Sequence, residues 1–500
     1  MWNRLKSGPP PDTVARNQPI QGVFMFLDSL KQAYPILILL LAVWIVLSRL
    51  PKVDVGHSEE FKRRRLWNWL PLGLTYAFLY MGRYNLTVSK NAFGDLMTNA
   101  DFGTIFGAGT VVYGFAFVIN GPLTDKMGGR RAILVSAIGA AMANFLMGLV
   151  TYLQWTQNLV LTFSILYGIN MYFQSFGAVA IVKVNSSWFH VRERGTFGGI
   201  FGILISLGLY FAYDWGAIIT KSFSLPWVFF VPTLILIGFF MISFALVRDH
   251  PSEAGFKDFD PGDAKVGEGK ALSVIQVAKL MFANPVILTI SFIEFCSGFL
   301  RNAIMQLFVH FSKQTGISST FVPKNWGLLL CCAGILGGVF AGTVSDKFFG
   351  SRRGPVSAVL YGMMLVGGIL ANFMLGSENI GWLFIVMSMA VIGVHGMLSG
   401  TASMDFGGKK NVGTAVGLID GMVYLGTAAQ AWYFGWALPN GDAAKDPSNW
   451  QAWPVAMVPM ALIGFLLALR LWNAHPSKGR DAKPDLKVPV TLTAEQANQG

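Results

Sequence analysis

Two arginines stand where an arginine is costly. Arg83 lies inside the apolar stretch LWNWLPLGLTYAFLYMGRYNLTVS (66–89), and Arg301 lies inside PVILTISFIEFCSGFLRNAIMQLFVHF (285–311). On insertion scales a charge at the centre of a membrane helix costs about 2.5–3.5 kcal/mol, so such a residue faces a protein interior or an aqueous cavity and has a partner there. A guanidinium stays charged and presents a planar fork of donors that grips phosphate or carboxylate oxygens two at a time. The chemistry on offer is recognition of an anion. Glu294, His395 and Asp420 are further ionisable groups within apolar runs, and they are candidates for coupling or for lining a cavity. Glu294 precedes Arg301 by seven residues, about two helical turns, so the two can share a face. No nucleophile–base pair stands out. Cys296, Cys331 and Cys332 all sit in apolar segments, with neither a disulfide framework nor a metal spacing. Neither an enzyme, nor a metal, nor a cofactor is expected.

The elements that must hold these groups are membrane helices. Hydrophobic residues make up 53% of the chain and charged residues 13%, where a soluble domain is nearer a quarter charged. Apolar runs of about twenty residues, the length that crosses a bilayer, recur throughout. The expectation is an all-α polytopic protein of the bacterial inner (plasma) membrane, embedded in lipid. A net charge of +12 raises the question of nucleic acid. The basic residues, however, gather in short loops between apolar runs, which is the positive-inside pattern, so no nucleic-acid partner is expected.

Residues 1–33 form a polar segment, and 34–50 (YPILILLLAVWIVLSRL) form an extra N-terminal transmembrane helix. The basic cluster Lys62–Arg65 follows it and places that linker in the cytoplasm and the N-terminus outside. Twelve more spans are expected at about 66–89, 103–124, 132–152, 158–184, 196–220, 226–247, 285–311, 325–345, 354–375, 380–404, 411–436 and 452–473. Residues 248–284 are a cytoplasmic linker ending in an amphipathic stretch, ALSVIQVAKLMF, and 474–500 are a cytoplasmic tail.

The chain repeats itself. Arg83 and Arg301 lie 218 residues apart, and so do Gly195-Thr196 and Gly413-Thr414; the loop GPLTDKMGGRR, with Asp125, recurs as GTVSDKFFGSRR, with Asp346, at an offset of 221. Three matches in near register point to a duplicated six-helix unit: an N-terminal bundle at 66–247 and a C-terminal bundle at 285–473. Two such halves about an axis normal to the membrane are the architecture of the major facilitator transporters. The arginines then occupy equivalent places on the first helix of each half and face each other across a central cavity.

Within that superfamily the chain resembles the organophosphate:phosphate antiporters, which include the bacterial glycerol-3-phosphate and hexose-phosphate transporters. The stretches that carry the resemblance are YAFLYMGRYN, VVYGFAFVINGPLTDK, WFHVRERG, RDHPSEAG, FLRNAIMQLF, TVSDKFFGSRRG and GGKKNVGTAVG, spread over about 62–475. The resemblance implies a monomeric secondary active transporter that exchanges a phosphorylated metabolite for inorganic phosphate by alternating access. It implies that Arg83 and Arg301 hold the phosphate and that Tyr76, Tyr80, Tyr113 and Tyr424 line the site. The chain departs from the glycerol-phosphate carriers at Phe117, Ile205, Gln306 and Cys331, where those have a lysine, a histidine and two acids.

Two other functions stay open at this level. One is a proton-coupled anion or monocarboxylate symporter; the other is a transporter-like membrane sensor of a phosphorylated metabolite. The repeated loops suggest a cytoplasmic gate made of Asp125, Arg130, Arg131, Asp346, Arg352 and Arg353, in which the carboxylates pair with arginines of neighbouring loops. Lys183, near a helix end, is expected to snorkel towards water.

Overall fold

The computed structural model describes residues 56–155, 157–190, 203–259, 279, 283, 285–349, 353–399 and 403–473. The extra helix expected at 34–50, both tails and most of the amphipathic stretch lie outside the described residues. Those that are described form two sets of six long helices. The first set is α1 (Glu59–Ser89), α2 (Asn99–Met127), α3 (Gly129–Tyr152), α4 (Leu159–Trp188), α5 (Ile203–Ser222) and α6 (Trp227–Leu246). The second is α7 (Pro285–Met305, continued by Leu307–Gln314), α8 (Trp326–Phe348), α9 (Arg353–Met374), α10 (Ile380–Met397), α11 (Ser403–Ala437) and α12 (Ala452–Arg470).

Hydropathy sorts the helices by depth in the bundle. The most apolar window, in α6, is only 33% buried, whereas the least apolar spanning window, at Leu288–Gln314 in α7, is 83% buried. Lipid rewards a uniformly apolar surface, and interior helices can carry polar groups because protein covers them. α1 is the extreme case. Apart from Leu74, every residue from Leu72 to Ser89 is buried, Arg83 included.

α1 starts seven residues earlier than expected and takes the basic cluster into its first turns. Ser58 caps it, its hydroxyl accepting from the Phe61 N–H at 3.2 Å. Arg64 then donates to the Leu246 carbonyl at 2.8 Å and Arg65 to the Trp188 carbonyl at 3.3 Å. These carbonyls end α6 and α4, where unsatisfied oxygens and the helix dipole favour a cation. The cluster therefore clamps three helix ends together as well as marking a side of the membrane.

The halves meet along α2 and α11, and α11 also packs on α7. Small residues make this seam. A Cβ on Gly103 would strike the backbone of Ala431 and Gly435, one on Gly298 the Val423 carbonyl, and one on Gly426 the Phe295 carbonyl. At the face opposite the basic loops, hydrogen bonds tie the halves together. Gln306 donates to Thr87 Oγ1 at 2.6 Å, Asn99 to the Pro439 carbonyl at 2.6 Å, and Lys313 to the Val88 carbonyl at 3.1 Å. α5 contains a π-turn at Phe211–Trp215. From that turn the Asp214 carboxylate accepts the Gly327 and Leu328 N–H groups, at 2.8 and 2.9 Å, at the start of α8. A carboxylate on a helix N-terminus is favourably placed. These bonds join the two halves on this face.

Candidate substrate site

Arg83 lies in the last two turns of α1, 1% exposed, with three donors engaged. Its Nε donates to Gln174 Oε1 at 3.0 Å, one Nη to the Tyr424 hydroxyl at 3.1 Å, and the other to the Tyr113 hydroxyl at 2.6 Å. Its guanidinium carbon also lies 4.5 Å from the Tyr80 ring centre and 4.7 Å from that of Tyr113. Tyr76 joins through its hydroxyl, 3.4 Å from that of Tyr80. The tyrosines named from the sequence therefore surround Arg83, and Tyr424 reaches it from the other half.

Behind Arg83 lies a ring of amides. Gln174 Nε2 donates to Asn170 Oδ1 at 3.0 Å, and Asn144 Nδ2 donates to the same oxygen at 3.1 Å. Asn85 Nδ2 donates to Asn144 Oδ1 at 2.6 Å, and Asn170 Nδ2 donates to the Gly82 carbonyl at 2.7 Å. The chain of bonds leaves α1 at Arg83, crosses α4 and α3, and returns to α1 at Asn85. Tyr167 adds a bond to the Arg83 carbonyl at 2.8 Å. A buried polar network is favourable only when its members are satisfied, and this one holds the arginine from within the N-terminal half. None of Asn85, Asn144, Tyr167, Asn170 and Gln174 was singled out from the sequence. The available signal was amides within apolar spans, with Asn170 and Gln174 one turn apart.

Arg301 has a different setting. It is 8% exposed, lies 5.8 Å from the Tyr424 ring centre, and its buried Nε has no hydrogen-bond partner among the described residues. Tyr424 is thus shared: its hydroxyl accepts from Arg83 while its ring lies near Arg301. Phe117, where the resembling carriers have a lysine, stacks on the Tyr424 ring at 5.6 Å. The coupling candidates come together on the same side. Glu294 Oε2 is 2.9 Å from His395 Nδ1, and Asp420 accepts from the Ser399 hydroxyl.

Asp125 and Arg130 both make contacts within the N-terminal half. Asp125 pairs with Lys183 at 2.9 Å, so Lys183 is held by a carboxylate instead of reaching freely for water. Arg130 donates to the Phe244 carbonyl at 2.7 Å, and its N–H is accepted by Asp249 at 2.8 Å. Burial pushes the Asp249 carboxyl above the ordinary range. Arg131 is exposed and Arg353 half-buried, while Arg352 and the Asp346 side chain lie outside the described residues.

Residues 72–431 match the family profile described as Major Facilitator Superfamily. The chain belongs to this superfamily. It is a multi-pass integral membrane protein of a transporter family, not an enzyme. Among curated proteins it is 25% identical to the "Glycerol-3-phosphate transporter" of Bacillus subtilis (strain 168), over 84% of this chain and 95% of that one. It is 25% identical to a "Probable hexose phosphate transport protein" of Chlamydia trachomatis, over 83% and 93%. It is also 24% identical to the "Membrane sensor protein UhpC" of Escherichia coli (strain K12), over 85% and 95%. The superfamily fold extends to solved structures. A bacterial homologue of the lysosomal transporter Spinster, inward-facing and unoccupied, superposes with a TM-score of 0.60 at 14% identity, covering 83% of this chain and 97% of that one.

Proposed function

We propose that this chain carries a phosphorylated metabolite of the glycerol-phosphate or sugar-phosphate type in exchange for inorganic phosphate, by alternating access. The observation that carries the reading is the pair of buried arginines, one from each half, meeting on Tyr424. A phosphate monoester bears nearly two negative charges near neutral pH, its second pKa being about 6. Two guanidinium groups match that charge and geometry. The similarity to glycerol-phosphate and hexose-phosphate transporters supports the same cargo class. An anion bridging Arg83 and Arg301 touches both halves at once, so its arrival can bias how they rock about α2 and α11. By the positive-inside rule we read the face bearing α1's start as cytoplasmic, and the face where Gln306, Asn99 and Lys313 tie the halves as the outer one. The protein works as a monomer in this reading, each half supplying one arginine.

Counterflow tests it. Proteoliposomes loaded with phosphate should take up labelled phosphate, and unlabelled glycerol phosphate or a hexose phosphate should compete. Binding of a monocarboxylate with no binding of phosphate or any phosphate ester would refute the reading. Phosphate-ester binding without any flux would instead make the protein a sensor.

A further inference from the structure

The two halves carry different residues at one equivalent station on their first helices. At the offset that relates Arg83 to Arg301, Tyr76 of α1 corresponds to Glu294 of α7. Glu294 is wholly buried. One carboxylate oxygen, Oε2, is 2.9 Å from His395 Nδ1 on α10, and the other, Oε1, has no hydrogen-bond partner among the described residues. Asp420, from α11, is 7% exposed, and the charges of His395, Glu294 and Arg301 all act on it. Three helices therefore bring two carboxylates and an imidazole together beside Arg301, whose buried Nε has no hydrogen-bond partner among the described residues.

Among the described side chains, the neighbouring helices add the following groups. α7 adds Cys296, and α11 adds Tyr424. From α9, Tyr361 donates its hydroxyl to the Ile293 carbonyl at 2.6 Å. α12 has no ionisable side chain between Ala452 and Leu469. α8 meets α10 at Gly337, while its Cys331 and Cys332 pack towards α5 residues Ile203 and Tyr210. α2 faces α11 here with Gly114 and Phe117, and its nearest ionisable group is Tyr113.

We propose that the Glu294–His395 pair, with Asp420 beside it, is a proton site that fills when an anion binds Arg301. Without cargo, Arg301 stands as the cation for Glu294 and Asp420, with His395 neutral. In that state Nδ1–H of His395 donates to Glu294, which leaves the second ring nitrogen unprotonated. A bound phosphate dianion takes up the Arg301 charge and leaves both carboxylates uncompensated at low dielectric, where an unpaired charge is expensive. A proton from water restores the balance, either at the second nitrogen of His395 or at Oε1 of Glu294. No bond other than that to the proton is made or broken. Anion and proton then bind with positive linkage, each favouring the other. The inference rests on the phosphate reading and adds to it a cargo-dependent proton.

The test uses the purified full-length chain and inorganic phosphate. Calorimetric binding is measured at one pH in two buffers of different ionisation enthalpy, which counts protons taken up per phosphate bound. Wild type is expected to take up roughly one proton more than Glu294→Gln, by linkage. Phosphate's own titration is common to both and cancels. His395→Gln should lose the same proton, and it serves where Glu294→Gln does not fold. In proteoliposomes either variant should still exchange phosphate but lose accumulation driven by a pH gradient. Equal proton counts in wild type and variants overturn the proton site while leaving the phosphate reading intact. Absence of phosphate binding by wild type removes both.

Discussion

Arg83 and Arg301 are the same residue at the same station of a duplicated unit, and the fold treats them in opposite ways. Arg83 is held before any cargo arrives: an amide and two hydroxyls take its protons, and the amide is held in turn by Asn170, which is tied through Asn144 to Asn85. Arg301 lies 5.8 Å from the Tyr424 ring centre and has a buried Nε with no acceptor among the described residues. A satisfied arginine supplies position. An unsatisfied one supplies drive, because a buried donor without an acceptor costs about 1–3 kcal/mol until something meets it. The N-terminal half is therefore the template of the site, and the C-terminal half is the part that cargo completes.

The arginines themselves give the largest expected effects. Lysine keeps the charge and loses the fork. Arg83→Lys and Arg301→Lys should each weaken phosphate binding by about 1.5–3 kcal/mol, roughly ten- to a hundredfold. The comparison is sharpened by melting the same proteins. Arg83→Lys should lower the melting temperature clearly, since Gln174 and two tyrosines lose a donor, whereas Arg301→Lys should lower it little. The double variant should bind little worse than the poorer single one, as residues holding one group act as a unit. Wild-type affinity in both variants would remove the clamp, and equal melting shifts would remove the contrast.

One step back from the cargo, Gln174→Leu should cost about 0.5–1.5 kcal/mol of binding, about two- to tenfold. Gln174→Glu separates placement from charge. It restores an acceptor for Arg83 Nε, but its negative charge opposes an anion, so binding should stay weak while the melting temperature recovers. Should Gln174→Glu bind phosphate like wild type, the amide ring is scaffolding without bearing on the site.

The smallest effect belongs to the loops. The Asp125–Lys183 pair is partly exposed, and such pairs contribute at most about 1 kcal/mol. Asp125→Asn should barely change melting. If the loop works as a gate, the variant should shift spin-label distances across the face bearing the basic loops and slow turnover. Unchanged distances would leave the pair a tie within the N-terminal half.

The bundle was legible because lipid imposes length and apolarity on every span, and the halves because Arg83 and Arg301 recur in register. The tyrosines emerged only through resemblance, since a tyrosine in a span has no periodic signature. The amide ring stayed hidden for a related reason. Asn85, Asn144 and Asn170 are ordinary singly, and their sense lies in contacts between helices far apart in sequence. The role of Lys62–Arg65 was half read. Charge gave them a side of the membrane, but only the packing of α1 against the ends of α4 and α6 shows them as a clamp.

The seam of small residues has a consequence for how this sequence can drift. At Gly298 and Gly426 the next atom beyond the α-carbon is a neighbour's backbone, and Gly103 meets Gly435 in the same way. Backbone cannot rotate aside as a side chain can, so even one methyl must push whole helices apart. The arginine box is different: its requirements follow the cargo, and a change of cargo would relax them. Selection for a new substrate could rewrite Tyr76 or Phe117 and leave the seam untouched. The least chemically expressive residues of the chain are thus the ones with the fewest alternatives.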